Sequence, residues 1–129
     1  MKHLFTSLLV VSLITLSSFT QSGNIDAVIG ALRSGNATEM SGYFDDNIEL
    51  TLPDKADSYS KAQAVLILKD FFNNNGIKSF DVKHKGDNGG GQYCIGTLQT
   101  KSGNFRTTVF MKVKSNKEVV KEIRFQSIE

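Results

Sequence analysis

A chain of 129 residues with 40% hydrophobic and 22% charged residues reads as one globular domain, too short for two ordinary domains and too apolar to be disordered. A domain of this size buries enough surface to fold without metals or disulfides. The formal net charge of +2 gives no electrostatic reason to expect nucleic acid as the main partner.

The first segment carries the signals for export. Lys2 supplies a positive start, and Leu4, Phe5, Leu8, Leu9, Val10, Val11, Leu13, Ile14 and Leu16 form an apolar run broken only by Ser and Thr. Small residues follow at Ser17, Ser18 and Thr20, the pattern a signal peptidase accepts. Cleavage after Thr20 assigns residues 1–20 to a signal peptide and 21–129 to a single mature domain; cleavage after Ser22 is the alternative. The apolar run is shorter than the roughly 20 residues of a spanning helix and has no basic stop-transfer cluster behind it. No membrane span is therefore expected after cleavage, and the mature protein is expected in the periplasm or outside the cell. Cys94 is the only cysteine, so no internal disulfide is available, and its place in a predicted strand suits a buried apolar role.

Ile25, Val28, Ile29 and Leu32 are spaced along one face of a helix, with Asn24 as a candidate cap and Gly35 as its end. Asn36 and Glu39 form a capping-box pair ahead of Met40, Tyr43 and Phe44, which predicts a second short helix and a helical hairpin. Asp45-Asp46-Asn47 interrupts the pattern, and Ile48, Leu50 and Leu52 alternate in a strand that ends at Pro53. Residues 54–59 read as a turn or a short edge strand. Ser60 and Gln63 open a long helix whose apolar residues, from Ala62 to Phe72, cover more than one stripe and predict extensive burial. Gly76 stands where that helix needs a left-handed end.

Four strands follow, separated by Asp87-Asn88-Gly89-Gly90-Gly91, Ser102-Gly103-Asn104 and Ser115-Asn116, an antiparallel meander. The order predicts an α+β fold: a curved, cone-like antiparallel sheet wrapped on a long helix, with the helical hairpin at the amino end. This order, and the stretch Tyr43-Phe44-Asp45-Asp46-Asn47-Ile48-Glu49-Leu50 at the helix-to-strand junction, resembles the nuclear transport factor 2-like (cystatin-like) superfamily. The whole chain, signal peptide included, is similar to an uncharacterised family of small exported proteins of unknown function from Bacteroidetes. The resemblance implies the fold; the superfamily hosts enzymes, binding modules and dimerisation domains alike.

Enzymes of that superfamily place Asp, His or Tyr inside the cone, which makes Tyr43, Asp45, His84 and Tyr93 the pocket candidates here. His84 shares the predicted face of Phe80 and Val82, and Tyr93 that of Ile95, so both are expected to point inward; a one-residue slip of register would move His84 to solvent. Asp45 and Asp46 read as turn residues at the end of the second helix. The glycine-rich loop 87–91 joins two strands and is not the strand-to-helix turn of a phosphate cradle. No spacing suits zinc or calcium, and neither a metal nor a cofactor is expected.

Charge is uneven along the mature chain. Residues 21–77 hold four Lys/Arg against eight Asp/Glu, or −4, and residues 78–129 hold ten against five, or +5. The predicted outer sheet face carries Arg106, Lys112, Lys114 and Arg124, interleaved with an outward Phe110 and Glu122, a composition that suits an interface. Two expectations result. The favoured one is a non-catalytic exported module that binds a small apolar ligand or a partner and forms a homodimer through its sheet. The alternative is a small isomerase, dehydratase or hydrolase using His84 in the cone.

Overall fold

The computed structural model describes residues 24–128; the expected signal peptide lies outside them. Two short helices come first, α1 (Asn24–Ser34) and α2 (Ala37–Ser41). α1 buries Ile25, Val28, Ile29 and Leu32, the stripe its spacing predicts. Asn24 is not the cap expected of it. It is the first described residue of α1, and its side chain donates to the Glu118 carbonyl at 3.0 Å. Asn36 does cap α2: its Oδ1 accepts from the Glu39 amide at 3.0 Å, and its Nδ2 donates back to the Glu39 carboxylate.

β1 (Phe44–Leu52) and β2 (Lys55–Ser60) form an antiparallel hairpin that leads into α3 (Lys61–Asn75). The capping box at the start of α3 is complete, with Ser60 Oγ accepting from the Gln63 amide and Gln63 Oε1 accepting from the Ser60 amide. Gly76 closes the helix at φ 69°, and its N–H donates to the Phe72 carbonyl. The meander then runs through β3 (Ile77–Asp87), β4 (Gln92–Thr100), β5 (Gly103–Lys114) and β6 (Lys117–Ile128). Ser115 and Asn116 both take positive φ, as a two-residue hairpin turn with the twist of the flanking strands requires.

The six strands form one curved, open sheet in the order β2-β1-β6-β5-β4-β3. Every neighbouring pair is antiparallel except β1 with β6, which runs parallel. Helices cover one face, called the inner face below. There Phe44, Ile48, Leu50, Cys94, Leu98, Val109, Ile123 and Phe125 join Leu32, Met40, Leu68 and Phe72 in a single core.

Among the described residues the sheet has four register irregularities, one at the start of β3 between Ile77 and Ser79 and three that bear on the residues below. In β3, Val82 pairs with Gly96 but His84 pairs with Ile95, so Lys83 is an extra residue and the alternation flips beyond it. In β6, Glu122 pairs with Phe110 and Val120 with Met111, leaving Lys121 as the extra residue; Val120 therefore takes the inward place in the core. In β1, the pairing with β6 shifts between Phe44 and Glu49, the stretch that contains Asp45 and Asp46.

The long helix departs from expectation. Only Ala64, Leu68 and Phe72, one narrow stripe, are fully buried, and Leu66 is 62% exposed. An open sheet wraps one side of a helix, so the remaining apolar residues of α3 stay partly or wholly at the surface.

Candidate functional site

The outer face of the sheet gathers an aromatic and charged row. Cys94 and Leu98 point into the core, so Tyr93 and Ile95, on either side of Cys94, point outward. Tyr93 pairs with Phe110, and Phe110 with Glu122; one step along the strands, His84 pairs with Ile95, Ile95 with Thr108, and Thr108 with Arg124. His84 and Tyr93 meet through a 2.8 Å hydrogen bond between Nε2 and Oη. The ring centroids of Tyr93 and Phe110 lie 6.4 Å apart, and the Arg124 guanidinium sits 5.4 Å from the Phe110 centroid. Arg124 Nε donates to Glu122 at 2.6 Å, which fixes the guanidinium over the ring. Half-buried Ile95 and Phe110 and the buried Thr108 complete an amphipathic patch on a rigid sheet.

Two inward assignments are thereby corrected. His84 is exposed on the outer face because Lys83 bulges out of β3, the slip that period-two reading cannot detect. Tyr93 also lies outside, since Cys94, Gly96 and Leu98 are the inward set of β4. Gly96 is small for a reason: a Cβ there would come within 2.7 Å of the Phe80 ring and 2.5 Å of the Asp81 carbonyl oxygen. With His84 outside the cone, the reading of an enzyme that uses it there loses its base.

Asp45 is no turn residue. It lies in β1, only 8% exposed, and its carboxylate takes Lys112 Nζ at 2.6 Å on one oxygen and Lys114 Nζ at 2.8 Å on the other. Those two ammonium groups, Lys112 first, hold its carboxyl well below the usual carboxylate range, against the opposing effect of burial. Lys114 also reaches the exposed Asp46 at 3.1 Å, and its own pKa is raised by the two carboxylates. This cluster ties β1 to β5 across the intervening β6. It also draws Lys112 and Lys114 away from the Phe110 patch they were expected to join. Tyr43 packs against the core between α2 and β1, and its carbonyl accepts from the Val120 amide at 2.7 Å. The structure therefore unites His84 with Tyr93, and Phe110 with Arg124, but leaves Asp45 and Tyr43 apart from them; Arg106 lies further along the same outer face, paired with Thr97 and Gln126.

The interior of the cone is filled by side chains. Cys94 is fully buried there, and burial pushes its thiol up to about 11. Open space lies instead at one end, where a cleft of about 500 Å³ runs between α3 and the β1–β2 turn. Leu52, Ile67, Phe71 and Phe105 form its apolar part, and Asp54 and Asp70 stand among its polar lining. Sequence reasoning missed this cleft. The signal was the surplus of apolar residues on α3, more than one buried stripe can use. Among the described residues, no group of three or more His, Cys, Asp or Glu side chains could hold a metal ion, and no helix is long and apolar enough to cross a membrane.

Comparison with known proteins agrees with this architecture. Residues 25–126 match the family model described as a domain of unknown function, DUF4783. A DUF4783 family protein from Bacteroides uniformis superposes with a TM-score of 0.78 at 34% identity, over 81% of this chain and 96% of that one. A second, from Bacteroides ovatus, gives 0.77 at 32% identity, over 80% and 94%. At 10% identity, an NTF2-like protein of unknown function from Cytophaga hutchinsonii shares the fold with a TM-score of 0.61, over 84% of this chain and 90% of that one. No curated protein matches the chain.

Proposed function

The chain belongs to the DUF4783 family, a domain of unknown function with an NTF2-like fold, and on that premise we propose that it is a non-catalytic exported module that pairs with a second copy through its outer sheet face. One observation carries the reading: the outward Tyr93, Ile95 and Phe110, half-buried with Arg124 fixed over the Phe110 ring, form an amphipathic patch on rigid strands. Aromatic residues and arginine are the types enriched at interface centres. The same face carries Glu49 beside Glu122, and Arg106 further along it, so charged groups border the patch.

Catalysis finds less support. A carboxylate held ionised by two lysines is a weak proton acceptor near neutral pH, and His84 and Tyr93 share a hydrogen bond in the open rather than in a pocket. The apolar run and small residues ahead of Gln21 support export to the periplasm or beyond.

Phe110→Glu is the test. The variant should sediment as a monomer under conditions where the wild type sediments as a dimer, with the thermal melting of the subunit little changed. A wild type that stays monomeric at high micromolar concentration, or a variant that keeps the dimer mass, rejects the sheet-face interface.

A further inference from the structure

We infer that the cleft between α3 and the β1–β2 turn is a binding site for a small organic cation, an amine or quaternary ammonium carried on an aryl or short alkyl body. Its volume of about 500 Å³ falls within the range of small-molecule sites, and its apolar part is held in place by packing. Leu52 and Phe105 are anchored in the core. The Phe71 ring is pinned 5.2 Å from Phe105 and 4.7 Å from Phe125, while staying partly exposed to the cleft. This preformed surface accepts an apolar body with little ordering cost.

The charged groups around it favour a cation. Asp54 comes from the β1–β2 turn and Asp70 from α3, so carboxylates approach from two different elements. Neither makes an ion pair or a side-chain hydrogen bond among the described residues, whereas Asp26, Asp45, Asp46 and Asp81 each have a lysine within reach and Asp57 and Asp87 each accept from a backbone amide. Lys55 is the single cationic side chain in the lining, which leaves an excess of one negative charge. A positive head is attracted both by these carboxylates and by the partly exposed Phe71 ring. Asn75, also in the lining, already donates its amide to the Phe71 carbonyl at 2.7 Å, which steadies the helix end beside the site. The inference is independent of the sheet-face dimer, because Leu52 and Phe105 lie on the inner side of the sheet.

Three probes of one shape isolate the charge: 4-phenylbutylamine, 4-phenylbutanol and 4-phenylbutyrate, titrated into the ¹⁵N-labelled protein at low salt. The amine is expected to shift the amides of Leu52, Ile67, Phe71 and Phe105 and to bind most tightly, with the alcohol weaker and the carboxylate weakest. Asp54→Asn and Asp70→Asn, both at the surface, should each weaken the amine by about 3-fold while leaving the alcohol unchanged. Loss of the amine preference in the double variant would complete the case. A carboxylate that binds as well as the amine, amine affinity indifferent to both substitutions, or no shift from any probe at about 10 mM overturns it.

Discussion

The two faces of β4, β5 and β6 are built from the same strands and serve different ends. Inward, Cys94, Leu98, Val109, Ile123 and Phe125 are completely removed from water. Outward, Tyr93, Ile95 and Phe110 are only half covered, by one another and by Arg124. Residues of similar size and apolarity thus carry unequal shares of the folding free energy. The inner set holds the sheet to its helices, and the outer set keeps part of its apolar surface in water.

Substitutions that separate the two faces should show this inequality. Phe125→Ala, at the centre of the Phe71–Phe72–Phe125 cluster, is expected to cost about 3–5 kcal/mol in urea unfolding. The outward Phe110→Glu should instead change association while leaving the unfolding midpoint nearly in place. Gly96→Ala tests the inner face from the opposite direction. Its methyl group would meet the Phe80 ring and the Asp81 carbonyl, and a loss of about 1–3 kcal/mol is expected by the same measurement; a neutral result would mean that the β3 bulge relaxes freely.

Asp45→Asn probes the ionic tie from β1 to β5 and should cost less, about 1 kcal/mol, because both lysines remain roughly half exposed and screened. Its pH dependence has a definite sign. Folding lowers the Asp45 pKa, so the carboxylate stabilises the native state fully above its unfolded value of about 4. The stabilisation fades as pH falls below that value. The gap between wild type and Asp45→Asn, measured by urea unfolding at a series of pH values, should be constant at neutral pH and narrow in acid. A gap that widens in acid would contradict the ion-pair geometry.

Much of the fold could be read from residue order alone. The two capping pairs, Gly76, and the Ser115-Asn116 turn act through neighbours three or four positions away, and local chemistry of that kind is written in local sequence. The candidate site was less legible because it depends on parity. Whether His84 faces Phe80 or solvent is decided by one unpaired residue, Lys83, and that bulge answers to how Phe80 fits over Gly96 on the adjacent strand. Tyr93 and Cys94 alternate as expected, but alternation does not say which of the two is inside. The pairing of Asp45 with Lys112 and Lys114 joins β1 to β5 through tertiary placement, and no spacing rule anticipates it. Burial of α3 was overestimated for a related reason, since an apolar helix does not reveal how far its sheet will close around it.

The parallel seam between β1 and β6 bears on how the chain reaches its native state. Each antiparallel pair in the sheet joins elements that follow one another directly or across a short turn, except that α3 separates the β1–β2 hairpin from the meander. The hairpin acquires its second neighbour only when the last strand arrives, bringing Val120 beside Phe44 and Ile123 beside Leu50. Closing so long a loop costs entropy before it returns any contact energy, which makes this docking step the natural barrier to folding. Until β6 is in place, β1 keeps an open edge and the core lacks Ile123 and Phe125. A chain awaiting its final strand therefore lacks part of its core, and the two halves lock together last.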